Sequence, residues 1–380
     1  MIMNETDPGY RQCSLSVMDN IADPGIGFDA NGICNYYYEY KQAEKAQVLT
    51  GEAGQRKLAV TIQEIKEAGK GKQYDCILGI SGGVDSTFLS LLCKEQGLRP
   101  LCVHFDNGWN SELAVKNIEN IITRCGFDLY TDVMNWEEFR DVQLAFLKAG
   151  VIDIEAITDV GYPGTLHRLA LDKNIPYILD GNNIVTEYTI PKAWIFKDPK
   201  NVQDIHSKYG SIPLKTLKFT PRRQLKSNSV TVVRLLNYIP YNKEEIKGRI
   251  QEQLGWRDYG GKHYESQWTK FYQGYILPLK FHVDKRKTHL SNLIFSGQTS
   301  KLKAIEILKQ PIYDPQTLKR DTEFVLKKLG LSQSEFDGIM NGPIRLHTQF
   351  DYTKPFFEEH PYLSFVKPIW DRLRHLIFSN

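Results

Sequence analysis

The run Ser81, Gly82, Gly83, Val84, Asp85, Ser86 is the stretch of this 380-residue chain whose residue types can do the most chemistry. It follows the apolar residues Cys76, Ile77, Leu78 and Ile80 and precedes a helical pattern over 87–94, so it reads as a strand–loop–helix turn. Unpaired main-chain N–H groups and the helix dipole at such a turn attract an anion, and phosphate is the natural guest. Gly82 and Gly83 let the backbone approach closely and take positive φ. Ser81 and Ser86 add hydroxyl donors, and Asp85 can reach a phosphate-bound Mg²⁺. The chain contains no G-x-x-x-x-G-K-[ST], so the loop is not of the kinase and GTPase type.

Other candidates lie further along. Asn182 and Glu187 follow an apolar strand pattern, at the edge where a substrate or a second carboxylate ligand for Mg²⁺ would sit. Glu187 is the second metal candidate and Asn182 a substrate contact. Lys262, His263 and Glu265 follow Gly260 and Gly261, and three ionisable groups in four residues suggest a loop that closes on substrate. His263 or Glu265 would then move protons. Lys280, Arg286 and His289 are candidate contacts to a phosphate or carboxylate. The run 280–287 also holds Lys285, Lys287 and Asp284, and a solvated charged face explains it equally well.

The elements needed to position these groups are legible in the periodicity. Strand patterns over 75–80, 101–105, 129–130 and 175–179 alternate with helical patterns over 87–94, 113–125, 136–148 and 165–173. The fold class is therefore α/β, a parallel sheet covered on both faces, with ligand-binding loops at the strands' C-terminal ends. A turn-rich segment over 11–40 and a helix over 43–69 precede it. After about residue 191 the alternation stops, and helices are predicted over 201–209, 243–254, 289–309, 315–329 and 332–340, with a docked tail helix over 363–378. The expected division is 1–72, an irregular N-terminal segment and helix; 73–195, the nucleotide-binding α/β unit; and 196–380, a mainly helical unit for substrate or partner.

Composition narrows the function classes. The 48 basic and 45 acidic residues nearly cancel, so nucleic acid is not the expected partner. Six dispersed cysteines do not make a secreted disulfide framework, no apolar run is long enough to cross a membrane, and a cytoplasmic protein is expected.

The loop 81–86 resembles the signature of the PP-loop ATP pyrophosphatases. That resemblance implies ATP and Mg²⁺, transfer of AMP to a substrate oxygen and release of pyrophosphate. It also implies that the second strand presents Val103, His104 and Phe105, ending at Asp106, to adenine. Within this superfamily the segments C-S-L-S-V-M-D (13–19) and D-P-G-I-G-F-D-A-N-G-I-C-N-Y-Y (23–37) look like the start of bacterial N-acetyl sugar amidotransferases. So do the blocks Gly260 to Ser266, Leu277 to Phe281, Asp284 to Ser291 and Ser296 to Gln298, and the resemblance spans roughly 10–345.

This family implies conversion of an acetamido group on a nucleotide-linked sugar into an acetamidino group for surface polysaccharide such as O-antigen. No G-x-C-x-G elbow for a glutaminase is present, so separate glutaminase and cyclase-like proteins are the implied ammonia source. The family's N-terminal segment has two C-x-x-C pairs, a zinc pattern. Here Cys13 is followed by Ser16 and Cys34 by Tyr37, leaving two thiolates where a closed site needs four ligands, and zinc is not the expected occupant. Two other readings stay open: a tRNA-modifying PP-loop enzyme, and a non-catalytic ATP-binding subunit.

Overall fold

Five parallel strands form the centre: β1 (Cys76–Gly79), β2 (Pro100–Asp106), β3 (Asp128–Val133), β4 (Tyr177–Leu179) and β5 (Thr231–Val233), in the order β3-β2-β1-β4-β5. The computed structural model describes residues 6–219, 229–354, 356–359 and 362. Every residue of β1 is buried, as its unbroken apolar run demands of a strand covered on both faces. β1 pairs with β2 on one side, Cys76 opposite Pro100, and with β4 on the other, Ile77 opposite Ile178. The chain therefore reverses its direction of growth at β1, and the loop after β1 opens into the crevice that such a reversal creates.

Close packing around β1 fixes that loop. A Cβ on Gly79 would collide with the Tyr162 hydroxyl on the helix Ala156–Asp172, so only glycine lets this helix lie against the strand. The N-terminal segment folds through short antiparallel bridges, Gln12 with Asp19 and Phe28 with Cys34. Its apolar residues Met18, Ile26, Tyr36 and Tyr40 pack against Ile184 and Phe295, beside the crevice.

The α/β class and the helix-rich C-terminal part agree with the sequence reading, and several boundaries do not. β5 lies past residue 195 and completes the sheet, so the α/β unit takes a strand from the segment expected to be helical. Three residues with no alternating pattern left no strand signal there. The helix read over 165–173 starts at Ala156 and runs through Gly161, Pro163 and Gly164, residues that read as breakers. Its early turns are held by packing of Ile157 and Val160 in the core. The pattern over 289–309 is two helices, Arg286–Phe295 and Lys301–Lys309, separated by Gly297 at φ +75°. The pattern over 43–69 is likewise two, Asn35–Gln47 and Gly51–Ala68. The tail helix expected over 363–378 lies outside the described residues. Among the described residues no helix is long and apolar enough to cross a membrane.

Candidate active site

The loop after β1 is closed by hydrogen bonds of its own. Gly82 has φ +78°, and a Cβ there would lie 2.7 Å from the Ala114 carbonyl oxygen, so the left-handed turn and the close approach both require glycine. The Gly83 N–H donates to Ser81 Oγ (3.2 Å), and the Ser81 N–H to Ser86 Oγ (3.3 Å). The Trp256 indole N–H donates to the Gly82 carbonyl at 2.9 Å. Gly83 is the extended N-cap of the helix Val84–Glu95, and the first helical N–H groups face the turn. The loop thus presents a helix N-terminus and the hydroxyls of Ser81 and Ser86 at the crevice, an arrangement that would suit an anion.

Asp85 lies at the start of that helix, enclosed by Tyr241, Asn183, Glu187, Lys262 and Lys243. The Tyr241 hydroxyl and the Asn183 side-chain amide (3.2 Å) both donate to Asp85 Oδ1. Burial, then the neighbouring Glu187 carboxylate, push Asp85 up to about 6 against the pull of Lys262, Tyr241 and Lys243. Burial acts on Glu187 in the same sense, but Lys262 and His263 hold it below the usual carboxylate value. Lys262 Nζ lies 2.8 Å from Glu187 Oε1. Burial and the Lys262 charge hold the Lys243 ammonium below its ordinary value. His289 is held well below its own by burial and by Lys262, His263, Lys285 and Lys243, and its ring meets His263 at 5.8 Å.

Two carboxylates beside such a loop would suit Mg²⁺, which takes one or two protein carboxylates and fills its octahedron from phosphates and water. Among the described residues no three metal-ligating side chains converge, and a magnesium site of this kind needs no such cluster. Asp85 and Glu187 would hold the ion, and it would supply charge neutralisation across a transferring phosphoryl group.

Glu265 closes the other side. A Cβ on Gly83 would sit 3.4 Å from Glu265 Oε1 and 3.4 Å from the Tyr259 hydroxyl. Its Oε1 lies 3.5 Å from His263 Nδ1. His263 itself has φ +64°, a conformation that costs a non-glycine residue about 1–2 kcal/mol and is held here by the turn 260–264.

Residues 265–363 match the family described as LPS biosynthesis protein WbpG-like, C-terminal domain. The match covers the C-terminal part of the chain alone. The WbpG-like domain thus begins at Glu265, on the rim of the site. An uncharacterized protein of Methanocaldococcus jannaschii is 25% identical over 318 residues, 79% of this chain and 94% of that protein. A tRNA(Ile)-lysidine synthase of Chlamydia pneumoniae is 46% identical over 76 residues, 19% of this chain and 23% of the relative. The structure of NMN synthetase from Francisella tularensis resembles it with a TM-score of 0.39 and 12% identity, over 74% of this chain and 98% of that one.

Of the residues singled out in the sequence, Ser81, Gly82, Gly83, Val84, Asp85, Ser86, Glu187, Lys262, His263, Glu265 and His289 converge here. Others are placed elsewhere. Within the WbpG-like domain, Lys280 is buried and donates to the carbonyls of Ile339 (2.6 Å), Met340 (3.2 Å) and Gly342 (2.8 Å), which spends its three protons on a helix end. Arg286 forks onto Asp284 and donates to the carbonyls of Ile307, Leu308 and Gln310. Lys287 pairs with the buried Asp19. Lys280, Arg286 and Lys287 are therefore mortar between elements.

Asn182 is exposed and turned onto Asp180 at 2.6 Å, and its neighbour Asn183 makes the contact to Asp85. On β2 the Val103 carbonyl accepts from the Ile80 N–H (2.9 Å) and the Phe105 ring packs near Tyr162. His104 is locked between the Ile80 carbonyl (3.1 Å) and the Asn110 amide (3.0 Å), and Asp106 Oδ1 accepts from Gly108 and Asn110.

At the N-terminus, Cys13 and Cys34 are fully buried and the Cys34 N–H donates to Cys13 Sγ at 3.3 Å. The hydrogen bond from Cys34, outweighing burial, pulls Cys13 down to about 5, with Ser16 assisting, while Cys34 is raised. Tyr37 instead packs against Phe295. Two thiols and a hydroxyl do not supply four zinc ligands, and no chemistry is routed through zinc.

Tyr241, Tyr259 and Lys243 were missed in the sequence. Only Lys243 left a signal: it stands at the first position of the helix Lys243–Leu254, behind the cap Asn242, where a cation opposes the helix dipole. A basic residue there marks a demand other than helix stability.

Proposed function

We propose that this chain uses ATP to adenylate the acetamido oxygen of a nucleotide-linked N-acetyl sugar and replaces that oxygen with ammonia-derived nitrogen, giving an acetamidino sugar for LPS (O-antigen) biosynthesis in the cytoplasm. The observation that carries it is the convergence of the carboxylates Asp85 and Glu187 with the cations Lys243 and Lys262 on the loop 81–86, in a chain ending in a WbpG-like domain. The N–H groups of that loop with Ser81 and Ser86 hold the phosphates to be released. Lys243, Lys262 and His263 draw off negative charge as the α-phosphorus accepts the amide oxygen and pyrophosphate departs. Ammonia, from separate glutaminase and cyclase-like partners, adds to the activated carbon and AMP leaves. His263 and Glu265 are the groups placed to move protons. In this reading the sheet unit binds ATP, and the segment from 196 onward holds the acceptor and the ammonia-supplying partner.

A tRNA substrate is the weaker reading, because three of the cations of 280–287 that would meet RNA phosphates, Lys280, Arg286 and Lys287, are spent on main-chain carbonyls, Asp284 and Asp19. The test is incubation of the purified chain with ATP, Mg²⁺, ammonium and a panel of nucleotide diacetamido sugars. AMP, pyrophosphate and the mass change of an O-to-NH exchange are expected. ADP in place of AMP overturns the reading.

A further inference from the structure

Glu265 is held rigidly beside the loop 81–86 with one of its oxygens unused. We propose that its carboxylate is the site at which an ammonium ion binds and is deprotonated to the nucleophile, which rests on the amidotransferase reading above. The main chain fixes it: the Glu265 carbonyl accepts from the Ser111 N–H (2.8 Å), Asn110 bridges Ser266, and the Gln267 N–H donates to the Trp109 carbonyl (2.8 Å). The first residues of the WbpG-like domain are thereby sewn to the loop after β2. The side chain then points back over Gly83.

Neither oxygen has a normal partner. Oε2 is buried and accepts no hydrogen bond, and Oε1 has His263 Nδ1 at 3.5 Å, too long for one. A buried carboxylate oxygen without a donor forfeits roughly 1–3 kcal/mol, so a site that keeps one is built for a donor that arrives later. The terminal torsion of a glutamate is soft, and the unused oxygen swings into the cleft at little cost. A small tetrahedral cation with N–H donors satisfies it. The carboxylate pair suited to magnesium, Asp85 and Glu187, is already accounted for.

The step balances as follows. Glu265 takes one proton from ammonium, and the freed lone pair forms the C–N bond to the adenylated carbon. A second proton leaves the new nitrogen through solvent. The C–O bond to AMP breaks with AMP keeping the pair, and a protonated amidine remains.

The experiment compares the full chain with Glu265→Gln in three assays: ATP–pyrophosphate exchange with an acetamido sugar and no ammonium, amidine formation against ammonium concentration, and turnover with hydroxylamine, a nitrogen nucleophile that is neutral near pH 7. Glu265→Gln is expected to lose about 100-fold in ammonium-dependent turnover, at least tenfold more than it loses in exchange, and hydroxylamine is expected to restore most of the difference. Equal losses in exchange and amidine formation, or an unchanged ammonium response, overturn the proposal. If the native chain exchanges with no acetamido sugar, the amidotransferase reading fails by itself. Binding then decides for Glu265: exchange broadening of ¹⁵N-ammonium by the native chain but not by Glu265→Gln supports the site, and its absence from both refutes it.

Discussion

Asp85 carries two opposed demands, burial beside Glu187 and readiness for a divalent cation. Its carboxyl, pushed up to about 6, binds its proton more tightly in the folded chain than unfolded, where the ordinary value is 3.8. The stability that its proton contributes is complete below about pH 4 and is lost as pH rises through 6, on the order of 2–3 kcal/mol by pH 7. Magnesium should return it. Without Mg²⁺, the Tm difference between Asp85→Asn and the native chain should widen in favour of the variant from pH 5 to pH 7.5, and Mg²⁺ with ATP should raise the native Tm alone. The same variant should lower pyrophosphate release by more than about 100-fold while its far-UV circular dichroism stays native. Lys243→Met should lower kcat by about 10²–10³-fold, because in the proposed reaction Lys243 is a cation facing the departing pyrophosphate. A native rate in single-turnover assays would remove Lys243 from the site. Asp85 was legible from its place in the glycine loop. Lys243 and Tyr241 were not, because both come from a segment whose distance in sequence says nothing of where it lands.

At the scale of elements, the loop after β1 depends on one glycine and the WbpG-like domain on one lysine. Gly82→Ala would need a left-handed turn and a methyl group 2.7 Å from the Ala114 oxygen, so it should cost about 1–3 kcal/mol and weaken nucleotide binding together, read by thermal melts with and without ATP. Lys280→Met should behave oppositely. It leaves three carbonyls without a donor and should lower stability by roughly 2–3 kcal/mol while the KM for ATP and for the sugar stay within about twofold. A KM effect without a stability loss would restore the substrate role that its position in the basic run suggests. The long, amphipathic helices Pro315–Leu329 and Lys243–Leu254 were read at their observed ends, because Asp314 and Asn242 cap them and Gly330 and Gly255 stop them. Short β5 and the proline-bearing start of Ala156–Asp172 were missed, since their stability comes from neighbours and not from local pattern.

The whole molecule shares one large core between its halves. Phe139, Val142 and Phe146 of the helix Trp136–Ala149 belong to the same apolar cluster as Phe271, Val325, Leu329 and Phe336 of the WbpG-like domain. Lys328 adds a second seam, its ammonium lying 4.9 Å from the centres of both Trp109 and Trp136 and donating to the Gly108 carbonyl. The full chain should therefore melt in one cooperative calorimetric transition. A fragment ending at residue 264 should bind a hydrophobic dye and lack near-ultraviolet dichroism from its tryptophans, and two separate transitions would contradict the shared core.

The sequence by itself determined the strand–loop–helix unit, the alternation that makes the sheet parallel, and the ionisable types offered at 262–265, because these depend on local periodicity and on what glycine, serine and aspartate can do within a single turn. Only the tertiary structure decided which cations remain for a ligand. It consumed Lys280, Arg286 and Lys287 in burying carbonyls and carboxylates, and it brought Lys243 and Lys262 beside Asp85. The physical reason is that a buried charge must find a partner wherever the fold supplies one, and the identity of that partner is a property of packing across the whole chain.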